Sequence, residues 1–166
     1  SINLEADIIV NTDADNQYNA DDIPRLVIPI IEGNADIVIG ARPIAEISHF
    51  SRTKKFLQKF GSWMVRQISF TDVPDVTSGF RAITREAARR TMVFSEYTYT
   101  LETIIQAGHK KLSIESVPIR VNEETRPSRL LRSIPSYIRQ SVITLVRIYV
   151  IYRPFHFFGS IGIGFF

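Results

Sequence analysis

Residues 6–18, Ala6-Asp7-Ile8-Ile9-Val10-Asn11-Thr12-Asp13-Ala14-Asp15-Asn16-Gln17-Tyr18, carry a strand pattern straight into two carboxylates and a carboxamide. The apolar run Ala6 to Val10 reads as a strand covered on both faces. The polar cluster follows at its carboxyl end, the edge where α/β proteins place their chemistry. Alternate strand positions share a face. Asp13 and Asp15 can therefore converge on one hard divalent cation, with the Gln17 carboxamide oxygen as third ligand. Such a cation would neutralise a diphosphate. The plain alternative is an acidic turn that caps the next helix.

Working outward, Asp21-Asp22-Ile23-Pro24 has the capping carboxylates and early proline of a helix start, and Gly33-Asn34 marks its end, with Pro29 forcing a kink or early stop. Asp36 to Gly40 is a second buried strand. Its exit delivers Arg42 to the edge that holds Asp13 and Asp15, provided that the two strands run parallel. Ser51 to Phe70 has apolar residues at Phe56, Phe60, Trp63, Met64 and Ile68, the period of a helix. Arg52, Lys54, Lys55 and Lys59 crowd its first half, either as a solvated basic face or as cations that reach phosphate, with Arg52 the best placed.

Asp75 to Thr84 packs small polar residues and a glycine into a turn before a short strand, and glycine there lets backbone approach a ligand. Thr84 can cap a short helix through Arg90. Leu101 to Ala107 forms another helix closed by Gly108, and Leu112 to Val121 alternates but is broken by Pro118, as in an edge strand.

With 166 residues, 45% of them hydrophobic and 22% charged, the chain is long enough for one domain with a sizeable core. Cysteine is absent, which excludes disulfides, thiolate metal sites and a cysteine nucleophile. His49, His109 and His156 lack metal-ligand spacing. The net charge of +3 hides a polarity along the chain: all six charged residues among the first two dozen are acidic, and no acidic residue follows Glu124. From Arg126 to Arg153 arginines alternate with Ile, Leu, Val and Tyr. Ile134, Ile138, Val142, Leu145, Tyr149 and Tyr152 form one helical stripe over Ile134 to Tyr152, the signature of a membrane-surface helix. A core-facing helix is the alternative, and nucleic acid is not expected as a partner. Phe155 to Phe166 is an uncharged run too short to span a bilayer alone. It reads as the start of a truncated membrane segment.

Four motifs in order, Asp13-Ala14-Asp15-Asn16-Gln17, Ile37-Val38-Ile39-Gly40-Ala41-Arg42, Thr77-Ser78-Gly79-Phe80-Arg81 and Ser128-Arg129-Leu130, resemble the family 2 glycosyltransferases. The likeness is greatest to the dolichyl-phosphate mannose and polyprenyl-phosphate glycosyl synthase group. It implies an α/β fold of the GT-A type, a Rossmann-like mixed sheet flanked by helices, that binds a nucleotide sugar (UDP- or GDP-linked) with Mg²⁺ or Mn²⁺. The sugar would pass to a polyprenyl or dolichyl phosphate lipid at the cytoplasmic face of a membrane. By position, the resemblance places Asp13, Asp15 and Gln17 around the metal, Asp15 as the catalytic carboxylate, and Arg42 and Arg52 on the donor diphosphate. Arg126, Ser128 and Arg129 fall on the acceptor phosphate. Arg129 stands where the family carries lysine and adds a fork suited to phosphate. Glu102 also matches a family glutamate.

The same comparison divides the chain into a partial catalytic domain over 1–132, an interface helix over 133–154 and the stub over 155–166. The family's preceding βαβ part, which holds base and ribose, is missing, so this piece alone is expected to be inactive. Three other readings stay open: transfer to a hydroxyl, with Asp15 as a weak base; a nucleotidyltransferase of similar architecture; and a non-catalytic membrane-surface module.

Overall fold

The structure is a computed structural model that describes residues 5–13, 17–43, 52–91, 99–122, 139, 142–143, 146–147 and 149–164. The chain divides into two compact units, Ser1–Arg126 and Pro127–Phe166.

In the first unit, strands β1 (Ile8–Asn11), β2 (Ile37–Ala41), β3 (Arg81–Thr84) and β4 (Ile114–Pro118) form a four-stranded sheet in the order β1-β3-β2-β4. β3 is antiparallel to both β1 and β2, and β4 is parallel to β2. β1 and β2 therefore point the same way with β3 inserted between them, and their carboxyl ends share one edge. β2 is the central strand and is buried along Ile37 to Gly40. β1 lies at the sheet's edge and is half-buried instead of covered on both faces. β4 is the opposite edge strand, and it stops at Pro118, which has no N–H to extend a ladder.

Helix α1 (Ile23–Ile31) lays Leu26 and Ile30 against Val38, Phe80 and Ala82 of one sheet face, joined by Tyr18, Ala35 and Ile119. Pro29 sits inside α1, and its carbonyl accepts from the N–H groups of Asn34 and Ala35 as the helix ends. Gly33 follows with φ +75°, as a helix stop requires. Asp22 differs from its expected capping role. Asn19 caps the turn at Ala20–Asp22, while the fully buried Asp22 carboxylate takes the backbone N–H of Arg120 at 2.7 Å and its guanidinium at 3.0 and 3.1 Å. That pair ties the start of α1 to the segment after β4.

Helices α2 (Arg52–Ser69) and α4 (Tyr99–His109) pack on each other, and α3 (Arg85–Arg90) follows β3 directly, with Thr84 Oγ1 accepting from the Ala87 N–H as expected. Gly108 does not close α4 as a cap. It lies within the helix, and Lys111 takes the left-handed conformation beyond it, at φ 54°. Glycine is needed at 108 because a Cβ there would lie 1.9 Å from the Ser69 carbonyl oxygen. The expected apolar period of α2 is split: Ile68 is buried with Gly61, Ser62, Val65 and Ser69, Met64 is half-buried, and Phe56, Phe60 and Trp63 are exposed.

In the second unit, residues 139, 142–143, 146–147 and 149–152 are helical, and α5 spans Pro154–Gly164. Its apolar exposure is not confined to the expected stripe: Val142 is exposed, but so are Ile143, Val146 and Ile151. Leu145 and residues 134 and 138 lie outside the described residues. The start of a membrane-spanning segment over 155–166 is not supported. The 11 residues of α5 rise only about 16 Å against a hydrocarbon core of about 30 Å, and no helix among the described residues is long and apolar enough to cross a membrane.

Gly108→Ala is expected to destabilise the first unit by about 1–3 kcal/mol, because the clash is with backbone and α4 must shift away from α2. Urea denaturation of the purified protein measures it, and an unchanged midpoint refutes the close approach.

Candidate active site

Four segments meet at the shared carboxyl edge of β1 and β2: residues 11–13 leaving β1, Arg42 leaving β2, the loop Asp75–Gly79 entering β3, and the first turn of α4. The centre of the cluster is Arg42. Its Nε donates to Asp75 Oδ2 at 2.7 Å, and Nη2 donates to Asp75 Oδ1 at 3.0 Å and Thr77 Oγ1 at 2.7 Å. Nη1 donates to Gln17 Oε1 at 3.3 Å. Both members of the ion pair are buried, at 7% and 1% side-chain exposure. Burial by itself would raise the Asp75 carboxyl, but the hydrogen bonds and charge of Arg42 outweigh it and hold the pKa below the ordinary carboxylate value. Likewise burial disfavours the Arg42 cation, and Asp75 more than restores it.

Thr77 Oγ1 also donates to Asp75 Oδ1 at 2.9 Å, so the same carboxylate shapes the loop that follows it. Arg81 secures that loop from behind: Nε, Nη2 and Nη1 donate to the carbonyls of Ser78, Val76 and Thr100 at 2.7, 2.8 and 2.8 Å. Burial pushes the Arg81 guanidinium down to about 10, and Tyr99, Asp75, Tyr18 and Asp13 partly offset this. It stays cationic at neutral pH and lends positive potential to the site from within the fold.

The loop's glycine meets the first carboxylate. A Cβ on Gly79 would lie 2.4 and 2.6 Å from the two oxygens of Asp13, so only glycine lets Asp13 rest there. Asn11 Nδ2 donates to the Gly79 carbonyl at 3.0 Å, and the Gly79 N–H donates to the Tyr18 hydroxyl at 3.2 Å. Tyr99 brings its hydroxyl within 3.5 Å of Asp13 Oδ1. Burial and then the negative Asp13 raise the Tyr99 pKa, so this phenol stays protonated.

Of the residues singled out from the sequence, Asp13, Gln17 and Arg42 come together at this edge. Gln17 Oε1 faces Arg42, and Arg42 spends most of its donors on Asp75 and Thr77. Asp15, Arg126, Ser128 and Arg129 lie outside the described residues, as does the side chain of Arg52, which opens α2. Glu102 lies in the first turn of α4. From the sequence, Asp75 is only a turn residue, Thr77 only a turn and motif residue, and Asn11, Tyr18 and Tyr99 have no assigned role. The signal available for Asp75 was an acid two residues before Thr77-Ser78-Gly79, but nothing in the sequence pairs it with Arg42.

Residues 3–92 match the family described as Glycosyl transferase family 2. The chain belongs to this family. Over 125 residues it is 34% identical to the UDP-N-acetylglucosamine–dolichyl-phosphate N-acetylglucosaminyltransferase of Methanococcus voltae, covering 70% of this chain and 49% of that protein. It is 29% identical over 85 residues to the undecaprenyl-phosphate mannosyltransferase of Micrococcus luteus, covering 50% and 34%. The glucosyl-3-phosphoglycerate synthase of Mycobacterium tuberculosis shares the fold, with a TM-score of 0.62 at 18% identity over 86% of this chain and 50% of that one. The glycosyltransferase chain thus has the mixed sheet and flanking helices of GT-A enzymes, and it spans about half the length of the first curated relatives it matches.

Because the folded Asp75 pKa is depressed, its contribution to stability is complete above the unfolded value near 3.9 and is lost as pH falls through the folded value. Asp75→Asn is expected to cost about 3–5 kcal/mol at pH 7 by leaving Arg42 buried and unpaired. The gap from the unmodified protein should narrow below about pH 4. Denaturation series at several pH values read both, and a gap independent of pH refutes the assignment.

Proposed function

We propose that the protein containing this chain transfers a sugar from a UDP- or GDP-linked donor to a polyprenyl or dolichyl phosphate at the cytoplasmic face of a membrane. The observation that carries the reading is the Asp13 carboxylate resting on Gly79 at the edge organised by Arg42 and Asp75. Two relatives whose names specify lipid-phosphate acceptors support the acceptor class.

Among the described residues no group of three or more His, Asp or Glu side chains could hold a metal; Asp13 offers one carboxylate, which suits a small divalent cation that takes one or two carboxylates and otherwise binds water and substrate phosphate. Asp13 and Asp15 would hold Mg²⁺ or Mn²⁺, which when bound offsets charge on the donor diphosphate. Gln17 is better suited to orienting this group than to ligating, since its oxygen already accepts from Arg42.

In the reaction an oxygen of the lipid phosphate forms a bond to the anomeric carbon as the bond from that carbon to the diphosphate breaks. The nucleoside diphosphate leaves with the electron pair. Since the acceptor is already an anion, no strong base is required, and Asp15, by its match to the family, would serve to orient the reacting groups. The work is to bring two anions together and hold them. Arg81 supplies a fixed positive field from inside the fold, and Arg42, its charge matched by Asp75, orients Gln17 and the loop before β3. By their match to the family, Arg52 would meet the donor diphosphate and Arg126, Ser128 and Arg129 the acceptor phosphate. The arginine-bearing segment over 134–152, helical at its described residues, would hold the protein at the lipid surface.

Two outcomes are expected from the full-length protein. Membranes given radiolabelled UDP- and GDP-sugars should yield lipid-extractable, mild-acid-labile label, and Arg129→Ala should lower lipid-phosphate use more than donor binding. Water-soluble product only would refute the lipid acceptor. Gly79→Ala should push Asp13 off its seat and weaken Mg²⁺-dependent nucleotide-sugar binding roughly tenfold or more. Calorimetric titration checks it, and unchanged affinity removes Asp13 from the donor site.

A further inference from the structure

We propose that the solvent face of α2 is itself a membrane-contact surface that seats an aromatic ladder among the headgroups of an anionic bilayer. The ladder is Phe56, Phe60 and Trp63, spaced one helical turn apart and 66%, 41% and 50% exposed. The rings stack in sequence: Phe56 and Phe60 have centroids 6.2 Å apart at 12°, and Phe60 and Trp63 5.8 Å apart at 30°. The helix meets the rest of its unit through the smaller residues on its other side, Gly61, Ser62, Val65, Ile68 and Ser69. Its largest apolar side chains thus point away from the core, and three adjacent aromatic rings form a continuous patch instead of scattered exposed residues.

Charge selects the occupant. The 18 residues of α2 include Arg52, Lys54, Lys55, Lys59 and Arg66 and no acidic residue. A second protein would have to bring matching acids to a helix of this charge, whereas an anionic leaflet presents them everywhere. Phe and Trp on one face with Lys and Arg beside them make up an interfacial helix, in which rings sit at the acyl boundary and cations meet headgroup phosphates. Lysine stems also lie along such a surface with their ammonium groups in water. This inference deepens the lipid-phosphate reading, since it adds a second contact beside the arginine-bearing helix, but its argument stands on α2 alone.

Trp63 is the chain's single tryptophan, so its fluorescence reports this surface directly. The probe is vesicles of phosphatidylcholine and phosphatidylglycerol in equal parts, added to the whole protein carrying Trp63 as its only tryptophan. Expected are a blue shift of the emission, quenching by brominated acyl chains, reversal by salt, and little response to phosphatidylcholine alone. Phe56→Ser with Phe60→Ser should abolish the shift and weaken vesicle binding by about tenfold with an unchanged melting temperature. Val142→Ser with Val146→Ser, in the second unit, should leave the Trp63 shift in place. Sedimentation of the protein with no shift of Trp63 would overturn the proposal and leave attachment to another surface. A lowered melting temperature in the aromatic variant, or self-association without lipid that buries Trp63, would overturn it in favour of protein cover. A Trp63 shift without glycolipid synthesis would keep this surface and refute the acceptor, and synthesis without a shift would do the reverse.

Discussion

The buried pair of Arg42 and Asp75 is the constraint on which the candidate site depends. A guanidinium and a carboxylate taken out of water are tolerated only when their hydrogen-bonding capacity is used. Here Asp75 meets two guanidinium nitrogens, the Arg42 backbone N–H and Thr77, while Arg42 also reaches Gln17. The end of β2, the loop before β3 and the segment after β1 are thereby held in one arrangement. An apolar pair of similar size could fill the space, but it would not orient Gln17 or shape the turn toward Gly79.

Close backbone approach is the second organising feature. Gly79 makes room for a carboxylate and Gly108 for a carbonyl, so one glycine serves the site and the other brings α4 against α2. Arg81 joins the two regions, since it donates to both the Ser78 carbonyl in the loop and the Thr100 carbonyl in the first turn of α4. Among the described residues its charge is partly offset at a distance, by groups that include Asp13 and Asp75. In the proposed reaction that residual field favours bound anions, and burial in a low-dielectric setting makes it more effective than a surface cation.

Asp22 and Arg120 play the corresponding part at the start of α1. The carboxylate is fully buried, takes both backbone and side-chain donors from Arg120, and so fixes the end of the edge strand β4 to α1. This is a scaffold role, although the residue sits only seven positions after Asp15. An acidic residue close in sequence to the candidate site is thus taken up by the architecture.

The sequence by itself determined the local elements and the class of chemistry. Periodicity and capping residues located β2, α2, β3 and α3, because hydrophobic spacing and a Thr84 cap are local signals. The ordered motifs were enough to indicate family 2, since they depend only on residue type and order. Tertiary structure decided the rest. That β3 lies between β1 and β2, that Arg42 spends its donors on Asp75, and that Gly108 serves packing instead of capping all depend on contacts between residues distant in the chain. It also decided which side of α2 faces out. The periodic stripe is split, with Ile68 buried and Phe56, Phe60 and Trp63 exposed, because α2 packs through Gly61, Ser62 and Val65, a choice set by its contact with α4.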